Sequence, residues 1–112
     1  MKAAFNGLNE AVVTFEAADG VVKGVPVTMA DNGKVQAAQS GVFCGICCKA
    51  YDGYAAVQLG GYVRVPYTGT LTVGYQKLAA ASGGKVEADD TNGREYLVTD
   101  VDTEAKTAGV IL

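Results

Sequence analysis

The sequence contains no histidine and no tryptophan, and only 2 prolines and 3 cysteines. Without histidine, the commonest general base and the usual Ser or Cys triads are excluded. A structural zinc site needs four ligands, which three cysteines and no histidine do not supply. An odd cysteine count does not build a disulfide framework and fits a reducing compartment. No apolar run approaches the about 18 residues that a membrane-spanning helix requires. Basic residues never stand side by side, and 9 of them face 12 acidic ones for a net charge of −3. The basic stripe that displaces counterions from phosphate is therefore missing, and nucleic acid is not the expected partner. Proline scarcity, with apolar residues spread along the chain, also argues against disorder.

What is present is a core-forming composition cut by turns. Hydrophobic residues make up 49% of the 112-residue chain, and glycines number 15. One domain of this size buries about 65% of its unfolded surface. Asp19-Gly20, Asn32-Gly33, Asp52-Gly53, Gly60-Gly61, Thr68-Gly69, Gly83-Gly84 and Asn92-Gly93 are turn signals, and Asn-Gly and Asp-Gly suit the hairpin turns that match strand twist. Between them lie short runs rich in Val, Ile, Tyr, Phe and Thr. These predict strands near 11–16, 25–29, 34–37, 42–50, 54–59, 62–67, 71–73, 85–88, 96–100 and 108–112. Alternation of period two is clearest in Tyr62–Val65 and in Tyr96–Asp102. The one helical candidate, Gln76–Ala81, is too short to stand alone.

The expected fold is all-β: a small single-domain β-barrel or sandwich of short antiparallel strands with tight Gly turns. The barrel spans 11–112, and 1–10 form an extended N-terminal arm. Met1-Lys2-Ala3-Ala4-Phe5 resembles the start of a signal peptide, but Asn6, Asn9 and Glu10 interrupt any apolar stretch, so it reads as mature sequence. There is one internal echo. Gly33-Lys34-Val35-Gln36-Ala37 recurs as Gly84-Lys85-Val86-Glu87-Ala88. It is either chance repetition in a hairpin-rich chain or the mark of a barrel built from two similar hairpin units.

Cys44-Gly45-Ile46-Cys47-Cys48 offers the most chemistry, since C-x-x-C serves redox and zinc sites. Redox pairs sit at helix N-termini, whereas Val42, Phe43 and Ile46 say strand. On that strand Cys44 and Cys48 share a buried face with Val42 and Ile46, and Cys47 points the other way; the thiols act as small hydrophobes. The acidic C-terminal third, with Glu87, Asp89, Asp90, Glu95, Asp100, Asp102 and Glu104, suggests calcium. An EF-hand alignment on Gly93 puts Ala88 and Thr99 at the first and last ligand positions, so a solvated face and turn is expected. Gly83-Gly84-Lys85-Val86 lacks the spacing and the hydroxyl of a phosphate loop. No cofactor and no catalytic set is expected.

Several runs together resemble the small capsid-cement (head decoration) proteins of tailed bacteriophages. They are Val21-Val22-Lys23-Gly24-Val25-Pro26-Val27, Asn32-Gly33-Lys34-Val35, Ala37-Ala38 and Gly45-Ile46, then Val57–Val63, Val73–Leu78 and the terminal valine-and-isoleucine strand. The likeness covers most of 11–112. It implies a non-enzymatic β-barrel that binds the outside of a phage head, as a homotrimer, and bridges major capsid protein subunits. The location implied is the outer capsid surface of a virion assembled in the bacterial cytoplasm. Residues expected at the contacts are Phe5 and Leu8 on the arm, and Tyr51, Tyr54, Tyr62, Tyr67 and Tyr75 at an oligomer interface. The alternatives are a small ligand- or peptide-binding barrel and a thiol redox protein.

Overall fold

A computed structural model describes residues 11–112, which fold as ten strands with no helix among them. They are β1 (Ala11–Ala17), β2 (Pro26–Asp31), β3 (Lys34–Ala37), β4 (Gly45–Tyr51), β5 (Tyr54–Gly60), β6 (Tyr62–Pro66), β7 (Gly74–Ala81), β8 (Lys85–Ala88), β9 (Arg94–Asp102) and β10 (Thr107–Ile111). The first five close a barrel in the order β1-β3-β2-β4-β5, and the last five form a sheet in the order β6-β10-β9-β7-β8. Read from β6 as from β1, the two neighbour lists are the same topology. The chain is all-β, and its second half repeats the first.

The repetition extends to register in two of the ladders, while β2–β4 and β7–β9 are paired two residues out of step, Val27 facing Gly45 but Leu78 facing Arg94. Val27 faces Ala37 and Met29 faces Val35, as Leu78 faces Ala88 and Ala80 faces Val86. Val13 faces Val57 and Phe15 faces Ala55, as Val63 faces Val110 and Val65 faces Ala108. The strands are antiparallel except where each half closes on itself. There Ala17 lies parallel to Val35, and Tyr67 to Val86. The closing bonds match too: the Ala18 N–H donates to Val35 O at 2.9 Å, and the Thr68 N–H to Val86 O at 2.9 Å. The Gly33–Ala37 and Gly84–Ala88 echo is therefore structural, since it spells β3 and β8.

A bulge is repeated as well. The β4–β5 register shifts between Cys47 and Lys49, and the β9–β10 register skips Thr99 between Val98 and Asp100. An extra residue leaves a facing carbonyl without its ladder partner. Cys48 Sγ donates to Ala56 O at 3.2 Å, and Thr99 Oγ1 donates to Gly109 O at 3.2 Å. Thiol and hydroxyl thus do one job at one position of the repeat.

One difference sits at the closure. The Glu16 N–H donates to Gly33 O at 3.0 Å. Pro66, at the matching place before Tyr67, has no N–H to give. The first half closes through a two-residue ladder and the second through the single Tyr67–Val86 bridge.

Inside the first barrel Val21, Val27, Val35, Cys47, Ala55 and Val57 pack together. Their counterparts Leu71, Leu78, Val86, Val98, Ala108 and Val110 fill the second. The second cluster also takes in Ala38, Phe43 and Ile46 from the first half. The Phe43 ring stacks on Tyr96 with centroids 5.3 Å apart, and Tyr96 Oη donates to Phe43 O at 3.2 Å. A further bond from the Ala80 N–H to Gly41 O, 2.8 Å, joins the same loop to β7. Burial of a phenylalanine of this kind stabilises by about 1.5–3 kcal/mol, which ties the two halves together.

Two expected strands need correction, and one unassigned stretch is filled. Residues 71–73 are not a strand: Leu71 is a buried loop anchor, and the ladder begins at Gly74. Gln76–Ala81, too short to stand as a helix and given no strand, is the body of β7, because β8 and β9 pair with it on either side and override the alanines' helix preference. The strand expected at 42–50 begins only at Gly45, since Phe43 leaves the ladder to reach Tyr96.

Candidate functional site

Both interiors are occupied by the chain's own side chains, which leaves the outer faces of the strands as the surface available for recognition. Alternation fixes which residues lie there. Tyr96 and Val98 point into the second core, so Leu97 between them points out; Ile111 lies outward beside buried Val110. The register then places four outward residues in one cross-strand row: Tyr75 beside Leu97, Leu97 beside Ile111, and Ile111 beside Tyr62. In the first half the ladder row through the matching Ile46 and Gln58 reads Pro26, Ile46, Gln58, Val12, although the two-residue register difference puts Pro26 and Tyr75 at different positions of the repeat.

The two rows have different surroundings. Ile46 is 2% exposed and Gln58 is 8% exposed, although both point away from their own barrel. Ile46 is covered by the second half's core, and Gln58 Nε2 donates to Gly60 O at 3.0 Å and to Tyr62 O at 2.8 Å. The corresponding Leu97 and Ile111 are partly exposed, and Tyr75 is 73% exposed.

Beside the second row runs a charged lattice. Arg64 Nη1 donates to Asp100 Oδ2 at 2.6 Å and to Tyr62 Oη at 3.3 Å, and Arg64 Nε donates to Thr107 Oγ1 at 3.1 Å. Thr99 Oγ1 also donates to Asp100 Oδ1 at 2.8 Å, so its one proton is shared between this carboxylate and Gly109 O. Gly109 lies beneath; a Cβ there would collide with Asp100 Oδ1, Tyr62 Oη and Thr99 Oγ1. The Arg64 hydrogen bond holds the Asp100 carboxyl below its ordinary pKa, against a smaller opposing effect of burial. In the first half this patch carries Thr14, Lys49 and Ala56, and beyond it Tyr51 and Tyr54 face each other across the hairpin. Lys49 Nζ sits 5.3 Å from the Tyr51 ring centroid.

The expected interface tyrosines are therefore divided. Tyr51, Tyr54 and Tyr75 are exposed, and Tyr62 is partly so. Tyr67 is 2% exposed and belongs to the second core, because it occupies the inward position that Ala17 holds in the first half; it is withdrawn from the interface set. The five do not form one patch: Tyr51 and Tyr54 lie on the first half, Tyr62 and Tyr75 on the second. Phe5 and Leu8 lie outside the described residues. Leu97 and Ile111 were not expected at a surface site. Their signal was the alternation of Tyr96–Asp102 and of the terminal strand, which puts one of each apolar pair outside.

The cysteine expectation is reversed, because Cys47 faces Val57 inside the first barrel ahead of the bulge. Cys47 is fully buried at the place of Val98, while Cys44 and Cys48 are only partly buried. Burial pushes the Cys44 and Cys47 thiols above their ordinary pKa, opposite to what a redox nucleophile needs. Asp89 accepts the N–H groups of Thr91 and Asn92, and Asp102 those of Glu104 and Ala105, so both carboxylates close turns. Among the described residues no group of three or more His, Cys, Asp or Glu is placed to hold a metal.

Compared with known protein families, curated proteins and solved structures, the chain matches none.

Proposed function

We propose that the chain is a non-enzymatic capsid-decoration protein of a tailed bacteriophage, binding the outer surface of the head and stabilising it by bridging major capsid protein subunits. The observation that carries this reading is where apolar surface lies. The barrel interior and the inner face of the second sheet are both filled, by Val27, Val35 and Val57 in one and Leu78, Val86 and Val110 in the other. The large apolar residues left over, including Val12, Val22, Val73 and Tyr75, stand on outer faces and loops. That distribution suits a protein that docks on a broad surface better than a barrel that encloses a small ligand. The sequence resemblance supplies the particular surface. A capsid repeats one site many times, so modest contacts at each copy add through avidity where copies are linked. A homotrimer at a three-fold position is the assembly the reading favours.

The experiment is co-sedimentation of the purified full chain with expanded heads built from the major capsid protein of the same genome. Saturable binding at a fixed ratio to capsid subunits, and survival of decorated heads at a temperature that breaks bare ones, is the expected result. A chain that stays in the supernatant at every concentration removes the reading.

A further inference from the structure

Two asparagine–glycine pairs lie in turns of the described chain, and they are held differently. Asn92-Gly93, ahead of β9, is pinned by one residue. The Gly93 N–H donates to Asp89 O at 2.9 Å, the Asn92 N–H to Asp89 Oδ1 at 2.9 Å, and Asn92 Nδ2 to Asp89 Oδ2 at 3.4 Å. Gly93 is also crowded, with Asp89 O and the Leu78 backbone where a Cβ would stand. Asn32-Gly33, between β2 and β3, is exposed, and nothing lies within 4 Å of where a Cβ would stand on Gly33. Among the described residues, neither the Asn32 side-chain amide nor the Gly33 N–H makes a hydrogen bond. Only the flanking groups are tied, the Asn32 N–H to Asp31 Oδ1 at 2.8 Å and Gly33 O to the Glu16 N–H at 3.0 Å. From this contrast we infer that Asn32 is a modification site, where the side-chain amide is hydrolysed without an enzyme after attack by the Gly33 nitrogen.

The chemistry needs only the chain and water. The Gly33 nitrogen gives its proton to solvent and bonds to Asn32 Cγ, while the Cγ–Nδ2 bond breaks and the nitrogen leaves as ammonia. The succinimide so formed is opened by water at either carbonyl. One opening returns an aspartate; the other carries the backbone through Cγ as an isoaspartate. An amide is exchanged for a carboxylate, and nothing is oxidised or reduced. Glycine suits the attack because no side chain shields its nitrogen or hinders rotation. At Gly93 the same nitrogen must first leave Asp89 O, so local opening precedes reaction there.

The site bears on closure of the first barrel. Gly33 O is one of the acceptors that join β1 to β3, and an isoaspartate lengthens the backbone just ahead of it. The new carboxylate stands beside Asp31 and adds to a net charge of −3. In the echo of this turn the matching residue is Gly83, which has no amide to lose.

The inference is independent of the decoration reading. The folded full chain, and the chain unfolded in guanidinium, are aged in mildly alkaline buffer made with heavy-oxygen water. Peptides are then mapped by mass spectrometry, and isoaspartate is detected by enzymatic methylation. The two pairs are expected to react alike in the unfolded chain. In the folded chain Asn32 is expected to react at least about tenfold faster than Asn92 and to take up one heavy oxygen, because only Asn92 waits for local opening. A smaller gap, or Asn92 reacting first, overturns the inference. The Glu16 amide is expected to lose hydrogen-exchange protection as the natural chain ages and to keep it in Asn32→Gly, which copies Gly83. Protection kept after Asn32 has converted overturns the link to closure.

Discussion

The two halves share a topology, a bulge and a core pattern, yet they solve two local problems with different residues. The bulged carbonyl is met by a thiol in one and a hydroxyl in the other. The left-handed residue that ends the last hairpin is Gly53 in one and Lys106, with φ 58°, in the other. Each then passes its carbonyl to the closing strand, to the Ala17 N–H and to the Tyr67 N–H, both at 3.0 Å. Lys106 offsets the cost of its backbone by lying 4.9 Å from the Tyr67 ring centroid and bonding Gly69 O at 3.0 Å. What the comparison teaches is that backbone geometry is the fixed quantity here, and side chains are chosen to satisfy it. Where the halves truly part is in covering: Ile46 and Gln58 on the outer face of the first are buried, and their counterparts Leu97 and Ile111 on the second are partly exposed.

The largest effect is expected from cutting the link between them. Phe43→Ala removes a fully buried ring from the shared cluster and should cost about 3–5 kcal/mol. Calorimetry should show one transition for the natural chain and two for the variant, since each half keeps its own interior. A single transition in both would mean that the loop around Phe43 is not what couples the halves.

Exchanging matched residues should do far less. Cys47→Val and Cys48→Thr install the second half's choices in the first and should change stability by no more than about 1 kcal/mol, whereas Cys48→Ala loses the bulge bond and costs about 1 kcal/mol. Chemical denaturation measures all three. If Cys48→Thr were as damaging as Cys48→Ala, the equivalence of thiol and hydroxyl would be wrong.

The smallest effect belongs to the charged lattice. Asp100 has its pKa lowered by Arg64, so its contribution is present above the ordinary carboxylate range near pH 4 and fades as pH falls through the lowered value. Both side chains are about half exposed, at 42% and 50%, and solvent screening keeps the pair to about 0–1 kcal/mol. Asp100→Asn should therefore flatten stability slightly as pH falls below the ordinary carboxylate range, and salt should blunt the difference.

Much of the fold was legible in the sequence, because glycine turns and β-branched runs are local signals. Nine of the ten strands fall where Val, Ile, Tyr and Thr cluster. The tenth, β7, was misread because Leu78, Ala79 and Ala80 are buried on both faces and show no alternation. The echo at Lys34–Ala37 and Lys85–Ala88 was visible, but not that it marked a whole five-strand repeat, since the matched pairs include Cys47 with Val98 and Ala17 with Tyr67. Such pairs share a position, not a chemistry. The fate of the tyrosines was also hidden: Tyr67 and Tyr75 look alike in sequence, and only pairing to β8 and β9 decides which is core. The open row needed the register of four strands at once.

Residue-resolved amide hydrogen exchange on the intact chain tests the repeated architecture most directly. The amides of Ala17, Ala18 and Ala38 donate to Gly53, Val35 and Pro26, and those of Tyr67, Thr68 and Asp89 donate to Lys106, Val86 and Lys77. All six should be protected well beyond exposed loop amides such as that of Asn32. Protection at Ala17 and Ala18 with free exchange at Tyr67 and Thr68 would show that only the first half closes, and would contradict the tandem repeat on which the account is built.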